Sequence, residues 1–140
     1  MHSLSELVSI IETKADIFLD VKENEVTKQD LLAVFQGKHY RTIYVARNSL
    51  EYLENLGELP RGWKKVQNAS FAFTPNIKRL KEADVSVFEG FFWSATRQNI
   101  DLLKQNDMNY ALATWFLSKR TYCALSEKYE MEWVHAEKLL

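Results

Sequence analysis

Apolar residues recur at helical spacing along much of the chain, beginning at the N-terminus. Residues 3–6 (Ser-Leu-Ser-Glu) form a capping box, the usual start of a helix. The apolar positions that follow are spaced three or four residues apart and predict a first helix; they are Leu4, Leu7, Val8, Ile11, Ala15 and Phe18. Residues 17–21 are rich in strand formers, so a short strand after this helix is the alternative.

The next segments carry further start and stop signals. Thr27 with Asp30 predicts the beginning of a second helix, and Gly37 predicts its end. Residues 40–56 combine helical spacing with a strand-like start, and both interpretations stay open there. Ala69, Phe71 and Phe73 alternate with smaller residues, which predicts one short extended segment. Thr74 and Pro75 then predict the start of another short helix.

The C-terminal third favours long helices. Residues 86–89 (Ser-Val-Phe-Glu) match a second capping box, and the 50 residues from Phe91 to Leu140 contain neither Gly nor Pro. We therefore expect helix almost throughout residues 87–140, with Asp107 as an internal cap. Whether residues 108–140 form one helix or two stays open. The residues expected in the core are Phe88, Phe91, Phe92, Leu102, Leu112, Trp115, Phe116 and Tyr129.

These patterns together predict a mainly α fold. We expect a single domain, residues 1–140, with about five to seven helices and one or two short strands between residues 16 and 73. The length of 140 residues suits one domain that can bury a core of its own.

Composition also indicates the cellular compartment and the distribution of charge along the chain. Cys123 is the single cysteine, which excludes an internal disulfide, and residues 1–6 do not resemble a signal peptide. We therefore expect a soluble cytosolic protein without a membrane partner. The net charge is −1, but residues 38–81 hold nine Lys or Arg against three Glu, between two acidic flanks. The middle of the chain is thus distinctly basic.

This basic middle is the candidate binding site. Cationic side chains neutralise phosphates, and neighbouring aromatic rings can stack on exposed bases. The residues expected to share one face and to bind an anionic partner are Arg61, Trp63, Lys64, Lys65, Lys78 and Arg79, with Phe71 as a further stacking ring. The plainer interpretation is that the aromatic residues are core and the charges form a solvated face.

Other chemistry finds less support. The rhythm of residues 124–139 resembles a helix-turn-helix, but Glu132 and Glu137 would face phosphates, so an ordinary packing helix is preferred. The three histidines lack ligand spacing, and we expect no metal and no cofactor. Cys123 is expected to pack as a small apolar residue on a helical stretch. A phosphate-handling pocket is a weaker idea that would use Tyr40, Tyr44, Arg41, Arg47 and His39.

The leading functional hypothesis is a non-enzymatic accessory or regulatory subunit that binds nucleic acid or a nucleoprotein assembly. The alternative is an inhibitor or immunity-type regulator that uses the same basic surface against an acidic protein. A small enzyme with an unrecognised site ranks third.

Overall fold

The computed structural model is an α/β fold rather than the mainly α fold that the sequence predicts. The structure describes residues 4–10, 15–38, 40–69, 71–113, 118–129, 131 and 134–135. Over these residues, helices and strands alternate along the chain, which is the pattern of a parallel sheet connected by helices.

Five strands are five or six residues long, and a sixth has two. They are β1 (Asp16–Asp20), β2 (Thr42–Arg47), β3 (Trp63–Asn68), β4 (Val85–Gly90), β5 (Asn109–Ala113) and β6 (Val134–His135). The helices are α1 (Leu4–Ile10), α2 (Lys28–Phe35), α3 (Leu50–Asn55), α4 (Ile77–Glu82), α5 (Arg97–Lys104) and α6 (Lys119–Tyr129).

All strand pairs are parallel, and the strands follow one another across the sheet in chain order, from β1 to β6. A β-bulge between Lys65 and Val66 shifts the register of β3 against β4. Each helix returns the chain to the start of the next strand. Repeated connections of one hand keep these helices on one side, which produces a curled sheet equivalent to about half of a β/α barrel.

Alternation along the strands gives the sheet two different faces. The helix face packs against α1 to α5 in the main core, which includes Ile43, Val85 and Leu112 from the strands and Leu53 and Leu80 from the helices. The inner face is a separate cluster of small, fully buried strand residues, namely Ala46, Val66, Val87 and Ala111, with Tyr44 packed against them.

The predicted long helices of residues 87–140 are wrong, because β4 and β5 lie within that range. A parallel strand buried on both faces is a nearly continuous apolar run, which cannot be told from a buried helix by periodicity. Ser86, taken as a cap, lies inside β4. Asp107, taken as another, lies in the turn before β5 at φ 58°.

Several local predictions are confirmed. Helix α1 begins at Leu4, and β1 occupies residues that the sequence left open to a strand. Thr27 caps α2 as predicted, and its hydrogen bonds with Asp30 form a capping box. Two other local predictions are wrong. Residues 69 and 71–73, expected to be extended, lie in a loop, because the strand of this region is β3. Helix α4 begins two residues later than expected and is capped by Asn76.

The predicted core is partly confirmed. Phe88, Phe91 and Leu112 are buried, whereas Phe92 and Leu102 are exposed. Tyr129 is half-buried, and Trp115 and Phe116 lie outside the described residues. Among the described residues, no helix has the length and apolar character needed to cross a bilayer.

Candidate active site

The carboxyl edge of the parallel sheet is the natural place for a functional site. Every strand ends there, so the loops to the following helices converge on it, and backbone groups at the strand ends are free of the ladder. Among the described residues, this edge carries residues 48–49, 69, 71–76 and 91–96, which lead into α3, α4 and α5.

Glu89 is the buried carboxylate at this edge. It is the penultimate residue of β4, near the middle of the sheet, and it is 1% exposed. Since Val87 belongs to the inner face, alternation places Glu89 on that face as well. Its register partners are Asn68 on β3 and Ala111 on β5. Acidic side chains are seldom buried to this degree unless they are paired or belong to a functional site.

The strand end that carries Glu89 is held by a cluster of hydroxyl groups on the opposite face. The Tyr110 hydroxyl donates to the Phe91 carbonyl at 2.8 Å, and the Ser94 hydroxyl donates to the same carbonyl at 2.9 Å. The two hydroxyl oxygens are 2.8 Å apart. Burial raises the pKa of Tyr110, and the negative charge of Glu89 adds to that rise, so this phenol stays protonated and keeps its donor.

Asn99 joins the two loops that flank this position. Its side-chain amide donates to the Phe73 carbonyl at 2.7 Å and to the Ser94 carbonyl at 2.9 Å. The Ala69 amide also donates to the Glu89 carbonyl at 2.8 Å, which ties the end of β3 to β4. Hydrogen bonds therefore connect Ala69 and Phe73 to β4 and to the loop of residues 91–96.

The basic residues predicted from the sequence do not lie on a single face. Lys64 lies on the inner face with its ammonium 5.6 Å from the centre of the Tyr44 ring. Lys65 points to the helix face, where it is buried and donates to the Ala83 carbonyl. Trp63 packs edge-on against Phe35 in the helix layer.

The remaining three predicted residues, Arg61, Lys78 and Arg79, lie outside the strands. Arg61 is exposed in the turn before β3, at the amino edge of the sheet. Lys78 and Arg79 belong to α4, where both lie near Glu82, and Arg79 also faces Glu54. The structure thus brings Lys78 and Arg79 together and separates them from the other four. Anion binding by the individual residues stays a prediction.

The weaker phosphate-pocket idea meets a similar separation. Arg41 pairs with Asp16 at the amino edge, and the Arg41 guanidinium, mainly through its hydrogen bond, lowers the pKa of Asp16. Arg47, at the other edge, donates to the Val21 carbonyl at 2.6 Å. His39 lies outside the described residues. No group of three or more His, Cys, Asp or Glu within the described ranges could hold a metal ion.

Together, the chain-ordered parallel sheet, the helices on one side and the buried carboxylate at the carboxyl edge define a half-barrel of the β/α class. A crystal structure with this fold comes from Galdieria sulphuraria and belongs to a protein assigned as a glycerophosphodiester phosphodiesterase. The TM-score is 0.69 at 14% identity, over 95% of this chain and 57% of the other. This chain therefore spans little more than half the length of that protein. No family model and no curated protein matches the sequence.

This likeness corrects the predicted function as well as the predicted fold. A non-enzymatic nucleic-acid subunit, or an immunity-type regulator, was predicted from the basic, aromatic-rich middle segment, whose charges were expected to share one face. The fold is instead shared with a protein assigned as an enzyme, and the basic residues are divided among two faces and an edge of the sheet.

Glu89 was missed because Ser86 and Glu89 have the spacing of a helix cap. A signal for Glu89 was nevertheless present. Residues 85–88 (Val-Ser-Val-Phe) include two β-branched residues and one aromatic residue, and an acid followed by glycine ends this segment, as expected where a buried strand meets a functional edge.

Proposed function

We propose that this chain forms the catalytic part of a hydrolase that acts on phosphodiesters, with Glu89 as its acid–base group. The observation that carries the proposal is the burial of the Glu89 carboxylate on the inner face, at the carboxyl edge of a parallel β/α sheet. Enzymes of this architecture place their catalytic side chains at that edge.

The choice of phosphodiesters comes from the similar fold of the Galdieria sulphuraria protein and is an analogy of fold. The reaction suits a buried carboxylate. Glu89 would take a proton from a water molecule as the water oxygen attacks phosphorus, the bond from phosphorus to the leaving oxygen would break, and the leaving oxygen would receive the proton that Glu89 had taken up. The products would be a phosphomonoester and an alcohol.

The surroundings support this role in two ways. The hydrogen bonds of Ser94, Asn99 and Tyr110 hold the loop after Glu89, so the carboxylate lies on a rigid support. The register partner of Glu89 on the adjacent strand β5 is Ala111, a small inner-face residue that adds little bulk beside the carboxylate. The cytosol, predicted from the sequence, is our proposed compartment.

The test is hydrolysis of a chromogenic phosphodiester and of glycerophosphodiesters by the full chain. We expect Glu89→Gln to lower kcat/KM by about 10²–10⁴-fold, the usual contribution of a general acid–base group. Glu82→Gln is the matched control, since it makes the same change on the exposed face of α4.

Thermal unfolding of both variants separates chemistry from folding. Loss of activity in Glu89→Gln with an unchanged Tm supports the proposal. An inactive wild-type chain, or a Glu89→Gln variant with full activity, overturns it.

A further inference from the structure

Three phenylalanines are exposed together at the carboxyl edge. Phe71 and Phe73 are 83% and 71% exposed in the loop before α4, and Phe92 is 46% exposed in the loop before α5. We call this set the phenylalanine patch. Exposed apolar residues of a monomeric protein are normally scattered singly, so a group on adjoining loops indicates a contact surface.

The patch lies on packed aromatic side chains. Phe91 lies beneath it, with ring centres 6.1 Å from Phe71 and 4.6 Å from Trp93, and Trp93 contacts Phe92 at 5.1 Å. The Asn99 side chain binds the backbone of both loops. The phenylalanines are therefore presented by an ordered support, so little entropy would be lost when they enter a partner.

The charges around the patch are positive. Residues 69–76 and 91–96 contain no Asp or Glu, and neither α4 nor α5 has an acid in its first turn. Lys78 and Arg97 lie there instead, although cations are disfavoured near the N-terminal end of a helix. Lys78 is 86% exposed, with its ammonium 4.0 Å from Glu82. By contrast, α2 and α3 have Asp30 and Glu51 in their first turns at the same edge, although α2 itself begins with Lys28.

We infer that the phenylalanine patch docks this protein on an anionic lipid surface. Aromatic side chains would enter the boundary between head groups and acyl chains, and Lys78 and Arg97 would face the lipid phosphates. Trp93 lies directly behind the phenylalanine patch, and an amphipathic indole ring is favoured at the boundary between head groups and acyl chains. The sequence predicted no membrane partner because no stretch of it is long and apolar enough to span a bilayer, and phenylalanines on loops do not form such a stretch.

The experiment is co-sedimentation of the full chain with vesicles of phosphatidylcholine, with and without phosphatidylserine. We expect binding that is stronger with phosphatidylserine and weaker at high salt. The double variant Phe71→Ser, Phe73→Ser should lose at least about tenfold in partition coefficient, since each phenylalanine contributes apolar burial. Leu4→Ser is the control, because Leu4 is exposed to a similar degree as Phe92 on a different element, α1.

Charge reversals test the second half of the inference. Lys78→Glu and Arg97→Glu should each weaken binding to anionic vesicles by roughly fivefold or more. Arg61→Glu makes the same change at the amino edge and should have little effect. Quenching of tryptophan fluorescence by brominated lipid should occur in the wild type and decrease in Trp93→Phe.

Lack of vesicle binding by the wild type, or equal binding by the phenylalanine double variant, overturns the inference. So does a wild-type dimer that dissociates in that variant, since the patch would then serve a protein contact. None of these measurements uses substrate, so the proposed hydrolase activity stands or fails separately.

Discussion

Lys65 shows at the residue scale how burial changes the role of a charged side chain. It is 2% exposed on the helix face, and its ammonium donates to the Ala83 carbonyl at 2.9 Å. Burial lowers the pKa of Lys65 from its ordinary 10.5. The folded protein therefore binds fewer protons than the unfolded chain between the lowered pKa and 10.5, and this group makes stability rise with pH in that window.

Replacing Lys65 by Met should remove this dependence. At neutral pH the variant no longer buries a charged group. As the pH rises toward 10.5, the free energy of unfolding of the wild type should increase relative to that of the variant. Urea unfolding at pH 7, 9 and 10 measures it, with Lys64→Met on the opposite face as the control. A difference that is the same at each pH would contradict the prediction.

Gly90 is required for space rather than for an unusual backbone conformation. A Cβ at this position would lie far inside the contact distance of the Ser94 hydroxyl and 2.7 Å from the Tyr110 hydroxyl. Both hydroxyls are buried and hydrogen-bonded, so neither can move aside freely. Gly90→Ala should cost about 1–3 kcal/mol of stability by overpacking.

A double-mutant cycle tests the cause of that loss. Ser94→Ala removes the closest clashing atom, so the double variant Gly90→Ala, Ser94→Ala should lose less free energy of unfolding than the two single variants added together. If the losses of the two single variants simply add in the double variant, the strain of Gly90→Ala does not come from the contact with Ser94.

At the scale of elements, Asn99 makes two loops and one helix act as a unit. Asn99→Asp keeps the shape of the side chain but loses both donated hydrogen bonds and turns a carboxylate toward the carbonyls of Phe73 and Ser94. We expect a loss of about 1–3 kcal/mol, the usual cost when buried polar groups are left unsatisfied.

Hydrogen exchange should locate that loss. Amides of residues 71–76 and 91–96 should exchange faster in Asn99→Asp than in the wild type. Gln98→Glu makes the same chemical change at the exposed neighbouring position and should leave both loops protected. Equal protection of the loops in Asn99→Asp would show that Asn99 does not hold them together.

Helix starts were the elements that sequence reasoning located best. Thr27 caps α2 as predicted, since the hydrogen bonds of a capping box are made within four residues. The same motif misled at Ser86, where Ser and Glu at the right spacing belong to a strand. A capping motif is a weak signal when the residues between its ends are β-branched or aromatic and the neighbouring strands can bury them.

At the scale of the whole molecule, the candidate site follows from the parallel sheet. Asn68 and Glu89 are 21 positions apart in sequence yet share a register position, and no local pattern connects them. Lys64 and Lys65 are adjacent in sequence yet point to opposite faces. A Lys65→Glu substitution would bury a carboxylate beside a carbonyl, so a fold defect would obscure any binding defect.

The sequence by itself determined what depends on neighbours along the chain. It located α1, the cap of α2, the possible strand at β1, Gly37 after the end of α2 and the excess of positive charge in the middle segment. These features depend on backbone hydrogen bonds and conformational preferences that act within a few residues.

Only the tertiary structure decided the class of fold, the burial of Glu89 and the exposure of Phe71 and Phe73. Apolar residues of β4 and β5 are buried by strands and helices distant in sequence, and a doubly buried strand has no periodicity of its own. The pairing of parallel strands is non-local, so it determines which side chains meet at the carboxyl edge and which remain exposed.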